Sequence, residues 1–159
     1  MAGTEELSVY IRAGSAPGSA RLGLADVAET RTVLEEGPDG ARITALHGLV
    51  VAGANGERQL LEALLMPLIR FVLPRRDKTL KRLLLLLFEN MDKTDAEGAL
   101  RQEFILVCNA WRNDLHHANE YVRGATLRFL CRVREPELLE PLVPSVRACL
   151  VSRAGGQWT

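Results

Sequence analysis

Charge imbalance is the first thing missing. Lysine plus arginine and aspartate plus glutamate both number 20, so the chain has no formal net charge. No global field draws in a polyanion, which counts against nucleic acid as a partner. Zero net charge also gives little protection against self-association. Aromatics are scarce, at 5%, and Trp111 falls on a buried stripe. A nucleic-acid enzyme on helical repeats, such as a HEAT-like glycosylase, would need a cationic groove with an aromatic and an acidic catalytic residue. Cysteines are few and odd in number: Cys108, Cys131 and Cys149. They lie in apolar helical patterns and read as buried free thiols in a reducing compartment. Long apolar runs are absent, since the longest, Leu83 to Phe88, is far short of the ~20 residues that span a bilayer. Residues 1–20 have no apolar leader core, so no secretory signal is expected. The expectation is a soluble protein whose membrane role is peripheral and borrowed from partners.

Catalytic and metal-binding patterns are missing as well. His116-His117 is the nearest hint of a metal site. Adjacent helical residues point about 100° apart and no Cys or carboxylate shares the needed spacing, so the pair reads as loop. Cys108 with His116 fails as a nucleophile and base, because Cys108 sits on a core stripe where a thiolate is disfavoured. No enzyme activity, cofactor or metal is expected.

Apolar content of 47% with 25% charged residues over 159 positions is enough for one packed domain, or a piece of something longer. No segment sustains period-2 alternation, so strands are not expected. Residues 1–19, rich in Gly, Ala, Ser and Pro, read as a flexible arm. A weak first helix is expected over 20–35, stopped by Gly37-Pro38. Asp39 is expected to cap a second helix bearing Ile43, Leu46, Val50 and Val51, weakened or ended by Gly48, Gly53 and Gly56.

A third helix is expected over 57–73, with Leu60, Leu61, Leu64, Leu65, Leu68, Ile69 and Val72 on one broad face and a kink at Pro67. Asp77 should cap a fourth, apolar almost all round, to about Met91. Thr94-Asp-Ala-Glu97 has capping-box spacing and should open a fifth helix to Leu115. Its stripe is Leu100, Phe104, Val107, Cys108, Trp111 and Leu115. Asn119 should open a sixth helix to about Arg134. Pro136, Pro141 and Pro144 should then allow only a short turn before a seventh segment, Ser145 to Leu150.

The sixth helix is the most telling. Val122, Ala125, Phe129, Leu130 and Val133 form one stripe, while Leu127 and Cys131 lie well off it. A helix with two apolar sides needs partners on both, as an inner helix of a stacked repeat does. Three helical hairpins at a spacing of about 40 residues fit an all-α, HEAT/armadillo-like solenoid over 20–150, with 151–159 as a divergent tail. A plain helical bundle is the competing architecture. Such solenoids bind other proteins.

Surface candidates follow from what the stripes leave out. Ile105 and Leu106 project away from the core stripe of the fifth helix and suit either a neighbouring repeat or a partner. Arg75, Arg76, Lys78, Lys81 and Arg82 form a local basic cluster, either a solvated face or a patch for acidic headgroups or an acidic partner. Arg123, near the start of its helix, is expected to bond to carbonyls or an acidic residue of the next hairpin rather than to an anion.

The runs Arg70-Phe-Val-Leu-Pro74, Glu103-Phe-Ile-Leu-Val-Cys108, Asn119 through Cys131 and Glu137 through Pro144 with Arg147-Ala-Cys-Leu150 closely resemble the amino-terminal region of the coatomer β family. They cover most of residues 60–150; residues 1–55 match only loosely, and Pro67 departs from the pattern. The run from Glu120 to Leu130 favours this family over the related β subunits of clathrin adaptors. The resemblance implies an adaptin-like trunk in the COPI coat, in Golgi-to-endoplasmic-reticulum and intra-Golgi transport. The implied setting is cytoplasmic, peripheral on Golgi membrane and vesicles. Implied partners are the δ subunit, the γ–ζ pair and an Arf-family GTPase in its GTP form. By alignment on Asn109–Asp114, the adaptor patch that receives the GTPase switch falls on Ile105 and Cys108. The family's trunk continues past Leu150, whereas Val151 to Thr159 diverges, which implies a truncated product, functional or not. Its open end is expected to expose Leu127, Phe129, Leu130 and Cys131 and to promote self-association.

Overall fold

Glycine and proline set the first corner of the chain. The structure, a computed structural model, describes residues 24–154, with side-chain surroundings for 27–151. The expected arm over 1–19, and positions beyond 154, lie outside the described residues. Helix α1 (Leu24–Glu36) ends where the Gly37 amide donates to the Val33 carbonyl at 2.9 Å. Pro38, extended at ψ 160°, leads into α2 (Asp39–Ala54). Asp39 is not the cap expected of it. It is the first helical residue, and its carboxylate sits 3.1 Å from Arg42 Nη1. The buried Arg42 decides this corner: Nε donates to the Leu34 carbonyl at 2.8 Å and Nη2 to that of Glu35 at 2.9 Å. Those carbonyls are the orphan acceptors at the end of α1.

Gly48 stays inside α2, whereas Gly53 marks a close approach. A Cβ there would lie 3.0 Å from Leu61 Cδ1 and 3.6 Å from Asn90 Cβ, so the glycine lets α2 pass close to its neighbours. Helix α3 (Arg58–Pro67) continues as a π turn, Leu68–Val72. The kink expected at Pro67 is realised as this change of helix type: proline supplies no amide, and beyond it the Leu73 amide reaches back five residues to Leu68.

Helix α4 (Lys78–Asn90) is capped as the sequence predicts, Asp77 accepting from the amides of Thr79 and Leu80 at 2.8 and 2.9 Å. The expected capping box at Thr94–Glu97 does not form. Asp95 instead accepts from the amides of Glu97 and Ala99, Gly98 turns at φ +82°, and Thr94 bridges to Leu100. An Asp three residues before a left-handed Gly closes a tight turn more readily than it opens a helix. Helix α5 therefore spans Glu103–Leu115, and Leu100 packs on the core from the turn before it.

Helix α6 (Glu120–Leu130) is capped by Asn119, which accepts from the Tyr121 amide at 2.9 Å. It stops at Leu130 instead of reaching about Arg134. The prolines that follow leave a short turn of helix before the last helix, as expected, although that last helix starts at Val143 and not at Ser145. Pro136 opens α7 (Pro136–Leu139), Pro141 lies in a 3₁₀ turn (Glu140–Leu142), and Pro144 lies in the first turn of α8 (Val143–Ala154). At each of these places an amide donor is not needed.

Two layers result, matching the solenoid expected from the sequence. Helices α1, α3, α5 and the α7–α8 segment pack side by side in one layer, and α2, α4 and α6 in the other. Arg101–Glu62 at 2.6 Å and Arg132–Glu89 at 2.6 Å brace consecutive hairpins. Phe88 of α4 meets Phe104 and Trp111 of α5 edge-on at 5.8 and 6.0 Å, and Trp111 meets Phe129 of α6 at 4.8 Å. Trp111 is thus core, as its stripe predicts. No strand occurs among the described residues apart from that single bridge.

Two expectations about the far end need correction. Phe129 and Leu130 are buried and Leu127 is half-buried, because this face of α6 lies on Trp111 and its neighbours; the exposed apolar side chains of α8 are Val143, Leu150 and Val151. Cys131 is an exposed thiol, since the helix ends before it, while Cys108 and Cys149 are buried. Burial pushes the Cys108 thiol above its ordinary pKa, with a smaller opposing effect from the Arg112 charge, and its Sγ lies 3.5 Å from the Leu138 carbonyl.

Replacing Arg42 by Ala should cost about 2–3 kcal/mol, because it strands buried acceptors and deletes charge-assisted bonds. Arg42→Lys should recover less than half, lacking the planar fork; urea melts check both. With a maleimide probe at pH 8, Cys131 should label at least about tenfold faster than Cys108, whose thiolate is suppressed by burial. Peptide mapping reads the order, and equal rates would contradict the burial.

Candidate interaction surfaces

Core-facing positions on α5 determine what is left for a partner. Phe104, Val107, Cys108, Trp111, Asp114 and Leu115 point inward, so Ile105 and Leu106 are turned out, with 56% and 52% of their surface exposed. Two adjacent large apolar residues bare on a well-packed helix are unusual enough to suggest a contact face. The Arg101–Glu62 bridge aligns the start of α5 with α3. Four residues beyond each member of that pair lie Ile105 and Met66, and Met66 is also exposed, at 45%. Sequence periodicity placed Met66 on no face.

Cys108, paired with Ile105 in the sequence alignment to the adaptor patch, does not share this face. It is 6% exposed and its Sγ is directed at the Leu138 carbonyl of α7. The one-turn spacing from Ile105 is outweighed by the i, i+3, i+4 stripe on which Cys108 lies, as its periodicity had indicated.

The basic cluster is also divided by the structure. Arg75 folds back on the Phe71 carbonyl at 3.4 Å, and Arg76 is exposed on the loop before α4. Lys81 is committed elsewhere: Nζ lies 2.6 Å from Asp114 Oδ1, with the two side chains only 19% and 12% exposed. A half-buried pair of this kind links α4 to α5 and is not available to a ligand. Lys78 and Arg82 remain exposed, one turn apart on α4, with no acidic partner among the described residues. They stand at a groove between α4 and α6 lined by Leu85, Asp114, Tyr121, Val122, Ala125 and Thr126. Val122 and Ala125, expected in the α6 stripe, are only half-buried because they line it.

Arg123 bonds to carbonyls, but to those of the turn that precedes its own helix and not to the next hairpin. Nη1 donates to His117 O at 2.6 Å and to Ala118 O at 2.9 Å. His117 Nδ1 accepts from the Asn119 amide, and His116 Nε2 lies 3.2 Å from Ser145 Oγ, joining α5 to α8. Each histidine ring thus has a hydrogen-bond partner within the fold. Among the described residues no group of three or more His, Cys, Asp or Glu is placed to hold a metal.

These features sit on a chain with clear relatives. The sequence profile of the family described as "Adaptin N terminal region" matches residues 25–155. Coatomer subunit beta of Drosophila melanogaster is 52% identical over 120 residues, which is 76% of this chain and 12% of that protein. The Schizosaccharomyces pombe counterpart is 49% identical over 123 residues, 77% of this chain and 13% of its own length. That of Dictyostelium discoideum is 49% identical over 127 residues, 80% and 14% respectively. The chain spans only 12–14% of the length of these relatives. Its two-layered helices and the extent of the profile match lead to one assignment: the chain belongs to the adaptin N-terminal region family.

Proposed function

We propose that this chain is a stretch of the trunk of a vesicle-coat structural subunit of the coatomer β type, acting through protein–protein contacts and not through catalysis. The observation that carries the reading is a bare apolar pair, Ile105 and Leu106, on the outer side of a buried helix, in a chain about half identical to coatomer β subunits. The role proposed is transport from Golgi to endoplasmic reticulum and within the Golgi. The setting is cytoplasmic, with peripheral attachment to Golgi membrane and coated vesicles. No helix among the described residues is long and apolar enough to cross a membrane, so the attachment in this reading comes through partners.

The proposed partners are the other coat subunits, δ and the γ–ζ pair, and an Arf-family GTPase in its GTP form. Its switch region would seat on Ile105 and Leu106. Cys108 contributes only by holding α5 on α7. Apolar surface of this kind supplies affinity at the centre of an interface, while surrounding charges set orientation.

Ile105→Asp tests the GTPase contact. The position is exposed, so thermal stability should change by less than about 0.5 kcal/mol. Binding to an immobilised GTP-locked Arf-family GTPase should fall at least about tenfold, because a carboxylate would be desolvated against an apolar partner. Unchanged GTP-dependent binding would remove the assignment. A pull-down with the tagged chain, read for δ, γ and ζ, tests the coat assembly separately; recovery of clathrin-adaptor subunits instead would favour an adaptor β subunit, and recovery of neither set a non-functional product.

A further inference from the structure

The groove between α4 and α6 is not used by any of these contacts. Its wall is apolar, formed by Leu85 on α4 and by Val122 and Ala125 on α6, and the ring of Tyr121 stands exposed at its edge. Lys78 and Arg82 lie on the other rim. The groove has a volume of about 150 Å³, whereas small-molecule and cofactor sites run to roughly 300–1,000 Å³. It has room for a single apolar side chain and not for a nucleotide or a coenzyme.

Among the residues that line the groove, three cations, Lys78, Lys81 and Arg82, stand against one carboxylate, Asp114. Asp77, the acidic residue nearest in sequence, is occupied in capping α4. Asp114, at the floor, is neutralised by Lys81. Lys78 and Arg82 are left as cations one turn apart on the same face of α4, with Arg76 on the loop before them. The spacing suits two carboxylates carried by one extended segment. A bilayer surface would meet such cations on a convex face, but here they border a concave apolar slot that a planar headgroup layer does not enter.

We infer that the α4–α6 groove docks an extended acidic segment of a protein partner: one apolar side chain packs between Leu85, Val122 and Ala125 beneath Tyr121, and flanking carboxylates pair with Lys78 and Arg82. The Lys81–Asp114 pair fixes the floor and keeps the slot at its observed width. This occupant would dock on a different face from Ile105 and Leu106, so the groove does not depend on the GTPase contact.

The test uses the full 159-residue chain and a fluorescein-labelled peptide, Gly-Ser-Glu-Asp-Leu-Glu-Asp-Ser-Gly, followed by anisotropy. Saturable binding is expected with Kd on the order of 10–100 μM. Two control peptides, one with Ser in place of Leu and one with Gln and Asn in place of the acids, should each bind at least roughly fivefold more weakly. The double variant Lys78→Gln, Arg82→Gln, with both side chains exposed, should keep the wild-type melting curve and lose at least about tenfold in affinity. Ala125→Leu, filling the slot, should weaken the Leu peptide and leave the Ser peptide unchanged. Absence of saturable binding by the Leu peptide overturns the proposal, as does equal binding of the Leu and Ser peptides. Retained affinity in the double variant overturns it too. Binding to phosphatidylserine vesicles that needs Lys78 and Arg82, without peptide binding, would identify the face as a membrane contact instead.

Discussion

Helix α4 carries the unbroken run Leu83 to Phe88, and no single neighbouring helix can cover it. Leu80, Leu84, Leu87 and Phe88 are fully buried and Leu83 nearly so, because α2 flanks α4 on one side, α6 on the other, and α5 lies across the layer. Each such leucine contributes on the order of 2–5 kcal/mol as measured by truncation to alanine. The hairpins are therefore held in a stack, since separating them would expose α4 on both flanks at once. Phe88 and Trp111 carry the constraint between layers through their edge-on contact.

Which surfaces are open to partners follows from that stacking. The inner side of α5 is consumed by Phe104, Val107, Trp111 and Leu115, so its outer side is fixed, and Ile105 and Leu106 are presented on a rigid support. On the other layer, α4 and α6 leave a groove between them, lined on the α6 side by Tyr121, Val122, Ala125 and Thr126. One surface belongs to a helix and the other to a junction between helices.

Features governed by neighbours in sequence were legible. The Asp77 and Asn119 caps, the α5 core stripe and the outward turn of Ile105 and Leu106 all follow from spacing along one helix. Features governed by distant groups were not. Asp39 failed as a cap because Arg42 reaches back across the corner to α1 and claims its carboxylate. Thr94 failed because Asp95 and Gly98 close a turn first. Lys81 read as one more surface cation, although its partner Asp114 stands on another helix. Cys131 read as buried because periodicity was extended beyond the point where α6 stops.

Amide hydrogen exchange followed by mass spectrometry tests the central role of α4 most directly. Local opening energies rise with the number of packed neighbours that must separate. The amides of α4, from Leu83 to Asn90, should exchange most slowly, with α2 and the core side of α5 next and α1 and α8 fastest. Exchange of α4 as fast as that of α1 or α8 would contradict it.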